Sequence, residues 1–219
     1  MKFLFLHGVG SGANSGMAAK LAKAFPDAEI VHPELPIRPK EAMEFLMKNY
    51  WDWFSDFDLI IGTSLGGFYA LAMPFMCVKK VVINPAMFAD EDILKGIGLG
   101  PQKVRCERED GVKEFVIDQS FIDELKEIRE KTDQGWDIWH PEKAEVNQCN
   151  STFALFGEKD ELVHHYDDFA KRYIADQAEM FPGGHHLTEE EVRDYAAPFI
   201  RKVLEAPSPP AAFVFDDLN

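Results

Sequence analysis

The local signal that decides the fold lies in residues 58–70, which have the sequence DLIIGTSLGGFYA. Residues 58–61, an aspartate followed by the apolar run Leu59-Ile60-Ile61, are typical of a buried strand, and residues 68–72 are typical of a helix. Between them, Gly62-Thr63-Ser64-Leu65-Gly66 fits the G-x-S-x-G pattern of a strand that turns sharply into a helix. The small glycines leave room for that turn, and the serine hydroxyl stands clear at the start of the helix. The pattern predicts that Ser64 is a nucleophile; a Gly-rich turn that binds a phosphate, or nothing, is the alternative.

Further strands and helices alternate on both sides of this stretch. Short apolar runs predict strands at residues 2–6, 28–31, 58–62, 79–84, 152–156 and 178–181. Helical patterns cover residues 15–25, 40–54, 65–75, 120–131, 166–175 and 188–204. This alternation indicates βαβ units. We therefore predict an α/β chain with the α/β-hydrolase fold: a mainly parallel sheet of about six strands with helices on both faces.

The length of 219 residues suits one domain, which we predict to cover residues 1–204. Residues 205–219 contain Pro207, Pro209 and Pro210, which cannot continue a helix, so we expect a flexible tail. The alternation lapses at residues 88–141. We expect this segment to form a lid-like insertion over the strand ends, with the helix at residues 120–131 at the mouth of the site; an ordinary crossover is the alternative.

Composition restricts the partners. The 38 acidic residues exceed the 23 Lys and Arg residues, which gives a formal net charge of −15. This charge argues against a nucleic-acid partner and against an anionic membrane surface. Three scattered cysteines suit neither a disulfide framework nor a metal site and favour a reducing, cytoplasmic compartment. The apolar residues 1–6 are too few for a signal peptide.

A serine nucleophile needs a base and an acid that orients the base, and in this fold they follow in the order Ser, acid, His. Asp160 follows a predicted strand at a turn, which is the expected place for the acid, with Glu158 and Glu161 as alternatives. The sequence Gly183-Gly184-His185-His186 follows the last predicted strand. On this reasoning alone, either histidine suits the base.

Two backbone N–H groups are expected to bind the oxyanion. One belongs to Leu65, directly after the nucleophile, and the other to the loop after the first strand, where Val9 is the first candidate and Gly10 the second. That loop lacks the spacing of a nucleotide-binding motif. No metal or organic cofactor is required. The aromatic and thioether side chains of Met87, Phe88, Trp136 and Trp139 are candidates for an acyl pocket, with ordinary packing as the alternative.

These motifs together resemble the YqiA-type esterases, a bacterial branch of the α/β-hydrolases, over residues 3–204. The resemblance rests on six short segments. They are Leu6-His7-Gly8, residues 33–36, the strand–helix turn with the start of its helix at residues 62–70, Val82-Ile83-Asn84-Pro85-Ala86, residues 160–163 and residues 183–186. It implies esterase activity on acyl esters or acyl thioesters. The family loop is similar to Gly-Gly-x-His, which assigns the catalytic role to His186. The chain departs from the family at His164-His165.

The sequence thus predicts a serine hydrolase that acts on a small acyl ester or thioester through Ser64, Asp160 and His186. An acyltransferase with the same triad, or a non-catalytic binding protein on the same fold, is the alternative. Charged side chains on the helix at residues 120–131 predict an acidic rim. On that basis, neutral esters should be turned over better than acyl-CoA thioesters.

Overall fold

The computed structural model describes residues 1–51, 56–73, 78–133 and 151–207. Its strands, in chain order, are β1 (Lys2–Leu6), β2 (Glu29–Val31), β3 (Leu59–Thr63), β4 (Lys79–Ile83), β5 (Gly100–Lys103), β6 (Glu114–Ile117), β7 (Thr152–Gly157) and β8 (Ala178–Phe181). Six of them form one parallel sheet in the order β2-β1-β3-β4-β7-β8. The six predicted strands are therefore confirmed, with ends that shift by one residue at most.

Helices follow most of the strands. They are α1 (Gly16–Ala24), α2 (Pro39–Asn49), α3 (Leu65–Ala72), α4 (Ala89–Gly96), α5 (Gln119–Asp133), α6 (Tyr166–Arg172), α7 (Glu189–Glu191) and α8 (Ala197–Glu205), with a π-helical turn, Val192–Ala196, between the last two. None of the helices within the described ranges combines the length and apolar character needed to cross a bilayer.

The core has two layers because side chains alternate across the sheet. On β1, Phe3 and Phe5 pack toward α1 and α8, whereas Leu4 and Leu6 pack toward α2, α3 and α5. Both faces of the strand are buried, which explains its nearly continuous apolar sequence.

The segment between β4 and β7 differs from its prediction. Besides the expected helix it contains α4 and an antiparallel hairpin of β5 and β6, which the lapse in periodicity did not reveal. Helix α5 packs against α2, α3 and α4 and buries Phe121, Leu125 and Ile128 in the core. Its expected position at the mouth of the site is therefore wrong, because its apolar face is already covered by α2, α3 and α4.

The strand order places the important loops side by side. The chain leaves β1 toward β2 on one side and reaches β3 on the other, so the order reverses between β1 and β3. Such a reversal opens a crevice at the carboxyl ends of the strands. Leu6 at the end of β1 is paired with Gly62 on β3, which places the loop after β1 next to Ser64.

Candidate active site

Ser64 occupies the turn between β3 and α3. Its backbone has φ 53° and ψ −121°, a conformation that is rare for a residue with a side chain and costs roughly 1–3 kcal/mol. Hydrogen bonds hold it in place: its N–H donates to the Ile83 carbonyl at 3.1 Å, and its carbonyl accepts from Phe68 N and Ala86 N, both at 3.1 Å. The sharp turn predicted from the motif is present.

The glycines of the motif are required by close backbone approach. A Cβ atom on Gly66 would lie 2.0 Å from the carbonyl oxygen of Leu6 on the neighbouring strand. A Cβ atom on Gly62 would lie 2.4 Å from the Gly66 carbonyl oxygen. Because no side chain fits at either distance, the turn that exposes Ser64 exists only with glycine at both positions.

Asp160 lies in the turn after β7 and is 2% exposed. One carboxylate oxygen accepts from the backbone N–H groups of Leu162 at 2.8 Å and Val163 at 2.9 Å. The other lies 2.8 Å from Nδ1 of His185. Burial by itself would raise the pKa of Asp160, but the bond to His185 and the two N–H donors outweigh it, so the pKa is lowered and the carboxylate is charged.

The histidine that contacts Asp160 is His185, which corrects the pairing predicted for His186. His185 is buried, and its Nδ1–H donates to Asp160, which leaves Nε2 free to accept a proton. His186 is exposed, and its Nε2 lies 2.6 Å from Nη1 of Arg105. Two successive side chains of this loop point in different directions, so only one of them reaches the buried carboxylate.

Asn84 fixes the loop that carries the two histidines. Its Nδ2 donates to the carbonyls of Gly184 at 3.0 Å and His185 at 3.1 Å, and its Oδ1 accepts from Gly157 N at 2.7 Å. The ends of β4 and β7 are thereby tied to the histidine loop. Asn84 belongs to one of the motifs shared with the family, but nothing in its sequence context predicts this role.

The loop after β1 lies beside Ser64. A Cβ atom on Gly8 would lie 3.2 Å from the Ser64 Cβ, so this loop packs directly on the serine. His7 holds it to the neighbouring segment because its Nε2 accepts from Leu35 N at 3.2 Å. Burial lowers the pKa of His7, which keeps the ring neutral and able to accept this bond.

A buried arginine holds the same loop from the hairpin side. Arg108 donates to the Ser11 carbonyl at 2.6 Å and lies 2.8 Å from the carboxylate of Glu34, which in turn accepts from Ala13 N at 3.2 Å. The sequence reasoning missed this ion pair, because the 74 positions that separate its partners give no local signal.

Ser64 opens into a cleft with a volume of about 280 Å³. The predicted residues Leu65, Val9, His185 and His186 line the same cleft. Within the part of the chain that the structure describes, the Ser64 hydroxyl makes no hydrogen bond to either imidazole. Such bonds are often loose in unliganded sites and shorten when substrate binds.

Met87 and Phe88, the two predicted acyl-pocket residues that the structure describes, do not line the cleft. Met87 lines a separate small cavity with Phe68 and Tyr173, and Phe88 packs its ring edge-on against His165 at 5.0 Å between centroids. Trp136 and Trp139 lie outside the described residues. The apolar lining of the cleft includes Ile93 and Ile97, at α4 and directly after it, and Leu162.

Solved structures share this architecture. Est1E from Butyrivibrio proteoclasticus matches with a TM-score of 0.58 at 12% identity, covering 94% of this chain and 88% of that one. The methylesterase MES16 from Arabidopsis matches with a TM-score of 0.55 at 13% identity, covering 93% and 98%. The mouse alpha/beta hydrolase domain-containing protein 10 matches with a TM-score of 0.50 at 15% identity, covering 92% and 86%. These likenesses confirm the predicted α/β-hydrolase fold.

Two proteins with related sequences and one family model also match this chain. A UPF0227 protein from Pectobacterium carotovorum and one from Pectobacterium atrosepticum are each 28% identical over 96 residues, which are 41% of this chain. The match spans 53% of each relative, about half its length. The model of the family described as "Uncharacterised protein family (UPF0227)" matches residues 2–180. The chain therefore belongs to the UPF0227 family, the YqiA family that its motifs resemble.

Proposed function

We propose that this chain is a serine hydrolase of small acyl esters, with Ser64 as nucleophile, His185 as base and Asp160 as the acid that orients the base. One observation carries the proposal: a backbone-strained serine at a strand–helix turn shares its cleft with a histidine bound to a buried carboxylate. A serine whose conformation is unfavourable persists where function requires it.

The roles follow from the chemistry of the groups. Because Nδ1 of His185 carries the proton donated to Asp160, Nε2 is the basic nitrogen and takes the Ser64 proton as the oxygen attacks the acyl carbon. The charged Asp160 stabilises the imidazolium. The N–H groups of Leu65 and Val9 are the proposed donors to the oxyanion, since both residues line the cleft. The imidazolium then gives its proton to the departing alcohol oxygen, which leaves the acyl group on Ser64. In the second half of the reaction, His185 takes a proton from a water molecule that attacks the acyl carbon, and it returns this proton to the Ser64 oxygen as the acid leaves.

Active-site labelling tests the proposal directly. A fluorophosphonate should modify the wild-type protein once, and peptide mass spectrometry should locate the adduct on Ser64. The substitution Ser64→Ala should abolish labelling and lower kcat/KM for a 4-nitrophenyl ester on the order of 10³-fold or more. Ser11→Ala is the matched control, since Ser11 lines the same cleft but is not at the strained turn. Labelling or near wild-type turnover in folded Ser64→Ala would reject the nucleophile.

Labelling, together with turnover by the unlabelled protein, separates the alternatives. A non-catalytic binding protein would bind esters without an adduct and without turnover. An acyltransferase would pass the acyl group to an added alcohol in preference to water. Product analysis in the presence of graded alcohol concentrations measures this partition, and acid should be the main product if hydrolysis is the reaction.

A further inference from the structure

The charges that line the cleft are opposite in sign to the charge of the whole chain. The chain is acidic, with a formal net charge of −15, but the cleft is lined by two basic side chains, Arg105 and Lys20. Its acidic lining residue is Asp92. Both carboxylate oxygens of Asp92 lie 2.9 Å from Nε2 of His165, so this negative charge already has a partner.

Arg105 is exposed, and no carboxylate pairs with it among the described residues. Five of the seven arginines, by contrast, contact an acidic side chain: Arg38, Arg108, Arg129, Arg172 and Arg193. Arg201, the other exception, packs on Phe25 and is not part of the cleft. Most arginines of this acidic chain thus have a carboxylate partner, whereas the guanidinium of Arg105 lies in the candidate active site without one among the described residues.

The backbone holds Arg105 beside the reacting groups. Its N–H donates to the Gly10 carbonyl at 2.6 Å, which fixes it to the loop that carries Val9. Its Nη1 lies 2.6 Å from Nε2 of His186, and because a guanidinium only donates, this nitrogen of His186 accepts. His186 keeps an exposed surface, but the partly buried position of its ring and the neighbouring His185 and Arg105 together lower its pKa, which keeps His186 neutral. The other donors of Arg105 stay available to a ligand.

Lys20 adds a second positive charge from α1. Its Nζ donates to the Leu187 carbonyl at 2.5 Å, which holds the ammonium at the wall of the cleft next to the histidine loop. An ammonium has three donors, and a carbonyl bond leaves its charge uncompensated. Exposed acidic residues farther away are screened by salt over about 8 Å, and the charged Asp160 lies behind His185 as its partner, so Arg105 and Lys20 are the charges that the described lining presents to a ligand without a carboxylate partner.

We infer that the substrate is an ester with an anionic group, a carboxylate or a phosphate, which Arg105 and Lys20 bind while Ser64 attacks the acyl carbon. This inference rests on the proposed function and specifies its substrate class. It reverses the preference for neutral esters predicted from the sequence. That prediction relied on acidic side chains of α5, a helix that does not line the cleft.

Pairs of esters matched in shape test the inference. The first pair is 4-nitrophenyl hydrogen adipate and 4-nitrophenyl 6-methylheptanoate, which differ by a carboxylate in place of an isopropyl group on the acyl side. The second is 4-acetoxybenzoate and 4-isopropylphenyl acetate, with the charge on the alcohol side. 4-Acetoxyphenyl phosphate replaces the carboxylate by a phosphate. The measured quantity is the ratio of kcat/KM for the anionic ester to that for the neutral ester.

The wild-type protein should favour the anionic ester of at least one pair by about 10-fold or more, and Arg105→Gln should lower that ratio by about 10- to 100-fold, the range for a lost charge-assisted bond. Arg105→Lys should lower it less, because the charge remains. Lys20→Met should lower it independently, and Arg201→Gln is the control that should keep it. The anionic ester with the largest ratio shows whether the enzyme prefers a carboxylate or a phosphate, and whether the preferred anion lies on the acyl or the alcohol side of the ester.

Two results overturn the inference. One is a wild-type ratio near or below one for every pair. The other is a ratio that Arg105→Gln leaves unchanged, because Arg105 would then only support His186. Failure of the proposed function is different: no ester would be hydrolysed and the fluorophosphonate would not modify Ser64, and the inference would fall with it.

Discussion

His185 and His186 are neighbours in the chain, yet only His185 contacts the carboxylate of Asp160. We expect His185→Ala to lower kcat/KM on the order of 10³-fold or more, because Ser64 loses its base. His186→Ala should cost far less, about 10-fold or below, since His186 contacts Arg105 rather than Asp160. Steady-state kinetics on one 4-nitrophenyl ester measures both, and circular dichroism checks the fold. The opposite order of effects would restore His186 as the base.

The pH profile gives a second readout for the same pair. A protonated imidazole cannot take the Ser64 proton, so kcat/KM should fall on the acid side. The decrease in kcat/KM at low pH should persist in His186→Ala, because the base His185 is still present. A decrease that disappears in His186→Ala would contradict the assignment.

At the scale of elements, His165 connects α4 to the start of α6. Its Nε2 contacts Asp92 of α4, and its Nδ1 lies 3.3 Å from Asp168 of α6. Burial opposes the charged imidazolium, but the two carboxylates outweigh this effect, and the pKa of His165 is raised above its ordinary value of 6.5. Lys171, 3.7 Å from Asp168, is the other charged group at this contact.

The raised pKa fixes the sign of a stability prediction. The charged His165 contributes to the free energy of unfolding. This contribution is fully present below about pH 6.5, where the histidine is charged in both the folded and the unfolded protein, and it is lost as the pH rises through the pKa of the folded protein. The stability difference between wild type and His165→Gln should therefore be largest near pH 6 and shrink toward about pH 9. Urea unfolding across this range measures it. His164→Gln, at the exposed neighbouring residue, is the control, and a difference that grows with pH would contradict the prediction.

Substitutions in α5 and near α4 test which of the two helices contacts the substrate, since α4 lines the cleft and α5 does not. Leu125 is fully buried among the core residues and does not line the cleft. Leu125→Ala should destabilise the protein by about 2–5 kcal/mol but leave the preference among ester chain lengths unchanged. Leu94→Ala, on the exposed side of α4, should have little effect on stability.

The contrasting variant is Ile97→Ala, since Ile97 lines the cleft directly after α4. This substitution should change the chain-length preference in kcat/KM. A shifted preference in Leu125→Ala, with none in Ile97→Ala, would show that α5 covers the site after all.

At the scale of the whole molecule, Asn84 joins the carboxyl ends of β4 and β7 to the histidine loop. Asn84→Asp should destabilise the protein and lower kcat, because a carboxylate would replace the amide donor next to two carbonyl oxygens. A loss of about 10-fold or more in kcat is expected if the position of His185 depends on this contact.

Exposed Asn49 provides the matched control. Its side chain donates a hydrogen bond to the Phe45 carbonyl within α2, away from the cleft, so Asn49→Asp should be nearly neutral in thermal melts and kinetics. Equal effects of the two substitutions would mean that Asn84 does not position the loop. A stability loss in Asn84→Asp with unchanged kcat would give Asn84 a structural role alone.

What the sequence by itself determined was local. The six parallel strands and the turn at Ser64 follow from apolar runs and glycine spacing, because these depend on residues close along the chain. Asp160 was placed correctly after its strand for the same reason. The hairpin of β5 and β6 was not predicted, since its short strands have little apolar alternation and pair mainly with each other.

What only the tertiary structure decided depends on residues far apart in sequence. Adjacent histidines have the same local signal, and the choice of His185 is made by Asp160, 25 positions away, and by Asn84, 101 positions away. The face against which α5 packs and the two cations in the cleft are likewise set by elements that meet only after folding. Backbone pattern is a property of neighbours in sequence, whereas side-chain direction and local charge are properties of neighbours in space.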